Sequence, residues 1–224
     1  MPGSGVHTLA VRLVFMFQLD ASGVFRAQSL SSQPWLVHGF GTSVSEGWPQ
    51  GGEVVTLKQV HSDIAWEARS TGCIGEGDAL VTAQPGLLLT IRTADCIPIL
   101  IADPVHHAVA AVHAGWRGTA AGIASKTVKK MAASFSSNPA DLIASIGPGI
   151  NACCFEVGPE VAVHFGTDAT HVDLIEANRR DLIAAGVTQV DLGAPCTVCA
   201  VGLFHSFRRD KTQERMISAI GIRT

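Results

Sequence analysis

Residues 87–118 read LLLTIRTADCIPILIADPVHHAVAAVHAGWRG. Three apolar runs lie inside this stretch, at 87–91, 97–101 and 108–113. Each is short and bounded by turn formers. Arg92 to Cys96 separates the first two, Asp103-Pro104 closes the second, and Gly115 stops the third. Runs of this length, framed this way, read as buried strands.

Working outward, residues 118–135 form a helix by their pattern. Ala, Lys and Met favour it, and Ile123, Val128 and Met131 share one apolar face. Residues 142–146 read as a strand ending at Gly147-Pro148-Gly149. Residues 159–165 and 174–185 read as helices, the second ended by Gly186. Late strands are expected at 187–192 and 216–222. Upstream, 47–52 is a Gly/Pro-rich loop, 53–60 a strand, 75–78 a turn and 79–82 a short strand. Strands follow strands early and helices enter late. The expected fold is therefore α+β (mixed α/β), with mixed β-sheets flanked by helices in a single compact domain.

Composition sets the class. The chain has 224 residues, 47% of them apolar, which is enough for a large core. A net charge of −3 with interspersed signs gives no basic stripe, so no nucleic-acid partner is expected. No apolar run reaches the length of a membrane span. LAVRLVFMFQL at 9–19 contains Arg12, lacks a basic cluster before it and has no cleavage site after it; it reads as a first strand rather than a signal core. The six cysteines are expected as free or metal-bound thiols in a reducing compartment, the cytoplasm.

His61, Cys96 and His113 each sit at the end of an expected strand, beside Gly, Pro or Asp. Strand ends are where a rigid scaffold presents side chains. Two imidazoles and a thiolate suit Zn²⁺, with bonds of about 2.0–2.3 Å, and three protein ligands leave one position open, as in catalytic sites. The spacing alone leaves a plainer reading open: two histidines bonded to backbone, and a small core cysteine.

The local motifs carry more. LKQVH (57–61), GDALVT (77–82), TADCIP (93–98), VHAGWRG (112–118), IGPGI (146–150) and CCFEVG (153–158) occur in this order. Together they closely resemble the purine nucleoside phosphorylase family formerly labelled multicopper polyphenol oxidase, or laccase-domain proteins. The likeness runs from VHGF (37–40) to the C-terminus. It implies a catalytic domain over 24–224, with 1–23 an extension or first strand, or with Met16 as the start. It implies one catalytic zinc on His61, Cys96 and His113. It also implies phosphorolysis of adenosine, inosine, guanosine and methylthioadenosine, and hydrolytic deamination of adenosine. Partners would be purine nucleosides and phosphate, and the protein a monomer or small homo-oligomer. Two departures bear on substrate preference. Gly41-Thr42-Ser43 stands where the family often has Ser-Thr-Arg, and Glu214 in RRDKTQER (208–215) stands where it has Gly.

Other residues carry expectations of their own. Arg117, in a Gly-flanked loop opening a helix, is the first candidate for phosphate, and Lys58 the second. Asp95 is open to three roles: an acceptor orienting a ligand histidine, a general acid/base, or a turn residue capping amides. Asp78 reads as a turn residue or an acceptor behind a ligand; Glu156 is a weaker acid/base candidate. Cys196-Thr197-Val198-Cys199 is a CxxC without a second CxxC, half of a structural zinc site, and reads as two buried structural thiols; Cys153-Cys154 reads as packing.

Three other functions compete. A copper-dependent polyphenol oxidase fits the His₂Cys donor set, but the nine histidines include no His-x-His pair and only His106-His107 are adjacent. A cysteine hydrolase would use Cys96 with His113, and metal ligation would compete for the same thiolate. A non-catalytic binding module has no feature in its favour.

Overall fold

The computed structural model describes residues 16–224. Its early elements, in chain order, are β1 (Phe17–Leu19), β2 (Phe25–Ala27), α1 (Gln28–Ser31), β3 (Leu36–Phe40), β4 (Glu53–Lys58), β5 (Ala65–Glu67), β6 (Gly72–Glu76) and β7 (Ala79–Thr82). Then come β8 (Leu87–Thr93), β9 (Ile97–Asp103), β10 (Ala108–Ala114), α2 (Trp116–Ala120), α3 (Ile123–Phe135) and β11 (Ile143–Ile146). The chain ends with α4 (Pro159–Ala162), α5 (Leu174–Ala184), β12 (Gln189–Asp191), α6 (Phe207–Asp210) and β13 (Met216–Ile222).

The strands form two mixed sheets. One runs β1-β2-β3-β13-β8-β4-β6, the other β12-β11-β9-β10-β7-β5. Leu80, Leu100, Val109 and Ala111 of the second sheet pack against Leu89, Ile91, Met216 and Ile220 of the first. The residues that alternate with them, including Val81, Ile99, Ile101, Ala110 and Val112, pack against Ile123, Val128 and Met131 of α3 and Leu174 and Leu182 of α5. The second sheet is thus covered on both faces. That is why its strands read as continuous apolar runs rather than alternating ones. The result is a three-layer arrangement of sheet, sheet and helices, the mixed fold expected from the sequence.

Several boundaries differ from expectation. The helix expected over 118–135 is two helices, α2 and α3. They are divided at Gly122, whose φ of +73° is left-handed backbone that a side chain would resist. The expected turn at 75–78 is shortened, because β6 runs to Glu76 beside β4 and only Gly77 and Asp78 turn. The strand expected at 187–192 is only Gln189–Asp191, and the helix expected at 159–165 ends its last turn as a 3₁₀ segment. The first-strand reading of 9–19 lies mostly outside the described residues; its end is β1, paired with β2.

Three connections carry the chain from the first sheet to the second: β4 to β5, β6 to β7, and β8 to β9. Since β4 pairs in parallel with both β6 and β8, the three strands end on the same side of the molecule. The segment between β12 and β13 returns the chain to the first sheet and brings 192–215 with it.

Candidate functional site

Each of those three crossings carries one residue of the site. His61 lies in the first, Asp78 in the second and Cys96 in the third; His113 comes from the end of β10. The donor atoms of His61, Cys96 and His113 all lie within 4.8 Å of one another.

Asp78 organises this group. It is 0% exposed, and its Oδ1 accepts from Nδ1 of His113 at 2.7 Å and from the backbone N–H of His61 at 3.1 Å. Its Oδ2 accepts from the N–H groups of Val60 (3.3 Å) and Ser62 (2.6 Å) and from the Ser62 hydroxyl (2.7 Å). These bonds hold the backbone of His61 at a φ of +59°, a conformation a non-glycine residue adopts only when its surroundings fix it. Burial alone would raise the Asp78 carboxyl, but the His113 and Ser62 bonds bring it down to about 2. With Nδ1–H of His113 committed to Asp78, the Nε2 lone pair is the one left for a ligand role.

Burial likewise pushes the Cys96 thiol up, but hydrogen bonds from His113 and His61 bring it down to about 6, near the thiolate form that metal binding requires. Gly115 completes the cradle. A Cβ there would meet Cδ2 of His61 at 2.8 Å and the Cys96 sulfur at 3.2 Å. An oriented imidazole, a second imidazole and an acidified thiol on one point match the borderline-soft donor set of zinc.

The three donors open into a cavity of about 680 Å³ that is also lined by Lys58, Gln59, Arg92, Phe207, Gln213 and Arg215. This is within the size range of small-molecule sites, roughly 300–1,000 Å³. A second cavity of about 200 Å³ shares Ala94, Cys96 and Phe207 with it and is walled by Trp116, Ile150, Phe155 and Leu174. A cationic chamber and an apolar slot therefore meet at Cys96 and Phe207.

The remaining expected residues fall in different places. Lys58 lines the first cavity and pairs with Glu76 at 2.6 Å. Arg117 lines neither cavity; its guanidinium lies 4.3 Å from the Trp116 ring, in a helix of five residues. The Asp95 carboxylate makes no hydrogen bond to a histidine. It accepts from Thr197 Oγ1 (2.7 Å), Ser206 Oγ (3.1 Å) and the N–H of Arg208 (2.6 Å), which are the contacts of a cap. Glu156 is exposed and lines neither cavity. Arg92 and Arg215 are the site residues that sequence reasoning missed. The pairing of β13 with β8 sets Ile217 opposite Arg92 and so brings Arg215 alongside; the RRDKTQER motif was the available signal for Arg215.

Among the described residues there is a second group of donors, Cys153, Cys154, Cys196 and Cys199. Cys196 is buried, but Cys199 is exposed, which corrects the expectation of two buried thiols.

Residues 44–223 match the family model described as multi-copper polyphenol oxidoreductase laccase. A protein of Deinococcus radiodurans named purine nucleoside phosphorylase is 42% identical over 178 residues, covering 74% of this chain and 69% of that protein. Purine nucleoside phosphorylase YfiH of Escherichia coli is 36% identical over 180 residues, covering 74% and 72%. The crystal structure of YlmD from Geobacillus stearothermophilus superposes with a TM-score of 0.84 at 28% identity, covering 93% of this chain and 99% of that one.

Proposed function

Because the chain belongs to the multi-copper polyphenol oxidoreductase laccase family, and its relatives carry the name purine nucleoside phosphorylase, we propose that it is a zinc-dependent enzyme of purine nucleosides. The reactions are phosphorolysis of adenosine, inosine, guanosine and methylthioadenosine, and hydrolytic deamination of adenosine. The observation that carries the reading is one cavity holding both the His61, Cys96 and His113 donors and the cations Lys58, Arg92 and Arg215.

His61, Cys96 and His113 would hold the zinc, which would supply Lewis acidity when bound. The chain's own residues do the rest. Asp78 fixes the tautomer of His113 and the turn that carries His61. Arg92 and Arg215 bind phosphate by charge and by guanidinium forks, with Lys58 as a further cation partly neutralised by Glu76. Arg117, expected for this role, lies outside the cavity against Trp116. The slot walled by Trp116, Ile150, Phe155 and Leu174 suits a flat purine face. Phosphate held by cations and a base held in the slot place the two reactants of phosphorolysis side by side. The soluble cytoplasm is the compartment that fits free thiols and these metabolites; no helix among the described residues is long and apolar enough to cross a membrane.

One observation favours a second reading. Cys96, His113 and Asp78 are arranged as a thiol, a base and an orienting carboxylate, the pattern of a cysteine nucleophile. His61 on the same sulfur is the feature that the pattern does not call for. A multicopper oxidase has less support, since the two donor groups among the described residues contain two histidines in all.

The test is to assay adenosine turnover, with and without phosphate, for the wild type and Cys96→Ala taken through one purification. Base and sugar phosphate should appear only with phosphate, and inosine without it. Equal turnover by the variant would assign the activity to a contaminant. A metal-free wild type with a rapidly alkylated Cys96 would favour the cysteine hydrolase.

A further inference from the structure

We propose a second metal site, a closed four-thiolate zinc centre formed by Cys153, Cys154, Cys196 and Cys199, which clamps the two segments that wall the cavity. Cys153 and Cys154 lie between β11 and α4, and Cys196 and Cys199 lie between β12 and α6. Some 40 residues separate the pairs in the chain, yet all four sulfurs lie within 4.8 Å of one another. The recorded separations are 3.6 Å for Cys153–Cys154, 3.7 Å for Cys153–Cys199 and 3.4 Å for Cys154–Cys199.

These distances have a simple reading. Thiolates at about 2.3 Å from a tetrahedral ion stand about 3.8 Å apart. A disulfide would bring two of them to about 2.05 Å, and an iron–sulfur cluster, with sulfides of its own between the irons, would spread them further. Three sulfurs 3.4–3.7 Å apart, with the fourth within 4.8 Å of each, therefore fit a single ion. Zinc is the ion that tetrahedral all-sulfur donors favour, and four protein ligands leave no open position, the pattern of a structural site.

The surroundings are built for the charge such a centre carries. The backbone N–H of Asn151 donates to Cys196 Sγ at 3.4 Å, and those of Val198 and Cys199 reach the same sulfur. Amides of a CxxC turned onto its first sulfur stabilise a thiolate. Two guanidiniums stand close by. Arg208 donates to the carbonyls of Cys154 (3.3 Å) and Glu156 (2.9 Å), and Arg209 to those of Thr197 and Val198 (both 2.9 Å). Each therefore grips one of the two segments that the cysteines join.

The consequence lies at the first site. Thr197, between Cys196 and Cys199, donates to Asp95, the neighbour of Cys96; Ile150, three residues before Cys153, donates its N–H to the Asp95 carbonyl at 2.8 Å. Phe155, directly after Cys154, and Phe207 and Arg208 wall the apolar slot. An ion on the four thiolates would hold that wall together without touching substrate.

The site does not depend on the reading of the first centre, and the test keeps the two apart. The full chain is purified under reducing, oxygen-free conditions without added metal. Zinc per chain is then measured for the wild type, Cys199→Ser and Cys96→Ala. Two zinc ions are expected in the wild type and one in each variant. A single zinc lost in Cys199→Ser but kept in Cys96→Ala upholds this site and overturns the other. The reverse overturns this one, as does iron in place of zinc. Should Cys199→Ser fail to fold, alkylation of the wild type followed by mass spectrometry decides. All four thiols should be protected until a strong chelator is added, and then all four should react. Labelling without chelator, or a pair of cysteines found oxidised to a disulfide, sinks the proposal.

Discussion

Asp78 Oδ1 lies 2.7 Å from Nδ1 of His113, and the same carboxylate accepts the backbone N–H groups of Val60, His61 and Ser62. One buried acid thus sets the ring of one donor and the backbone of another. Asp78→Asn keeps the size but replaces one acceptor oxygen with an NH₂ that faces N–H donors. The expected outcome is zinc affinity weaker by about 10–100-fold at the His61–Cys96–His113 site, the usual cost of losing such a partner. Chelator competition followed by elemental analysis measures it, with far-UV circular dichroism confirming that the fold persists. Unchanged affinity would mean that Asp78 only shapes the turn.

The cations of the larger cavity separate phosphate-dependent from phosphate-independent turnover. Arg92→Ala and Arg215→Ala should each raise the KM for phosphate by about 10-fold or more, the scale of one charged hydrogen bond. Deamination of adenosine should change by less than about 3-fold. Arg117→Ala, whose guanidinium stacks on Trp116 outside that cavity, should leave the phosphate KM unchanged. A rise in KM confined to Arg117→Ala would return the phosphate role to that residue.

The buried strands were legible in the sequence as short apolar runs framed by turn formers, whereas His61, Cys96 and His113, which the structure brings within 4.8 Å of one another, stood out through the ordered motifs around them and not through their spacing. What escaped is what only long-range pairing creates. Asp78, expected as a turn residue or an acceptor behind a ligand, is both; what its neighbourhood could not show is which partners it reaches, 17 residues back to His61 and 35 forward to His113. Arg92 and Arg215 line one cavity only because β13 lies beside β8. The outer strands β1, β2, β5 and β6 are three to five residues long and carry exposed or half-buried positions, too short for a period to show. Cys153-Cys154 has no ligand spacing of its own, and the fold alone sets it against the CxxC.

Asp95 divides its three suggested roles by stability. Asp95→Ala removes the acceptor from the Thr197 and Ser206 hydroxyls and the Arg208 amide. Leaving such buried donors unpaired should cost about 2–4 kcal/mol in urea unfolding, with zinc still bound by Cys96. Activity should fall in proportion to the folded fraction. A variant of wild-type stability with turnover abolished would instead make Asp95 the acid/base.

His38, which lines neither the donor cavity nor the slot beside it, supplies a pH dependence of stability. It sits on β3, 5% exposed, with no hydrogen-bond partner for Nε2. Burial pulls its pKa down to about 4, and the charges of Arg26 and Arg223 act in the same direction against a weaker opposing bond to Ala27. In the unfolded chain the imidazole titrates near about 6.5. Between these two values the unfolded state takes up a proton that the folded state refuses. Its contribution is therefore fully present above about pH 6.5 and is lost as pH falls toward 4. From pH 7.5 to 5.0 the loss amounts to about 2 kcal/mol. His38→Gln keeps a donor for Ala27 and cannot titrate in this range. It should be less sensitive than the wild type, by about that amount, when urea unfolding is compared at the two pH values. Parallel losses in the two proteins would show that another group governs acid stability.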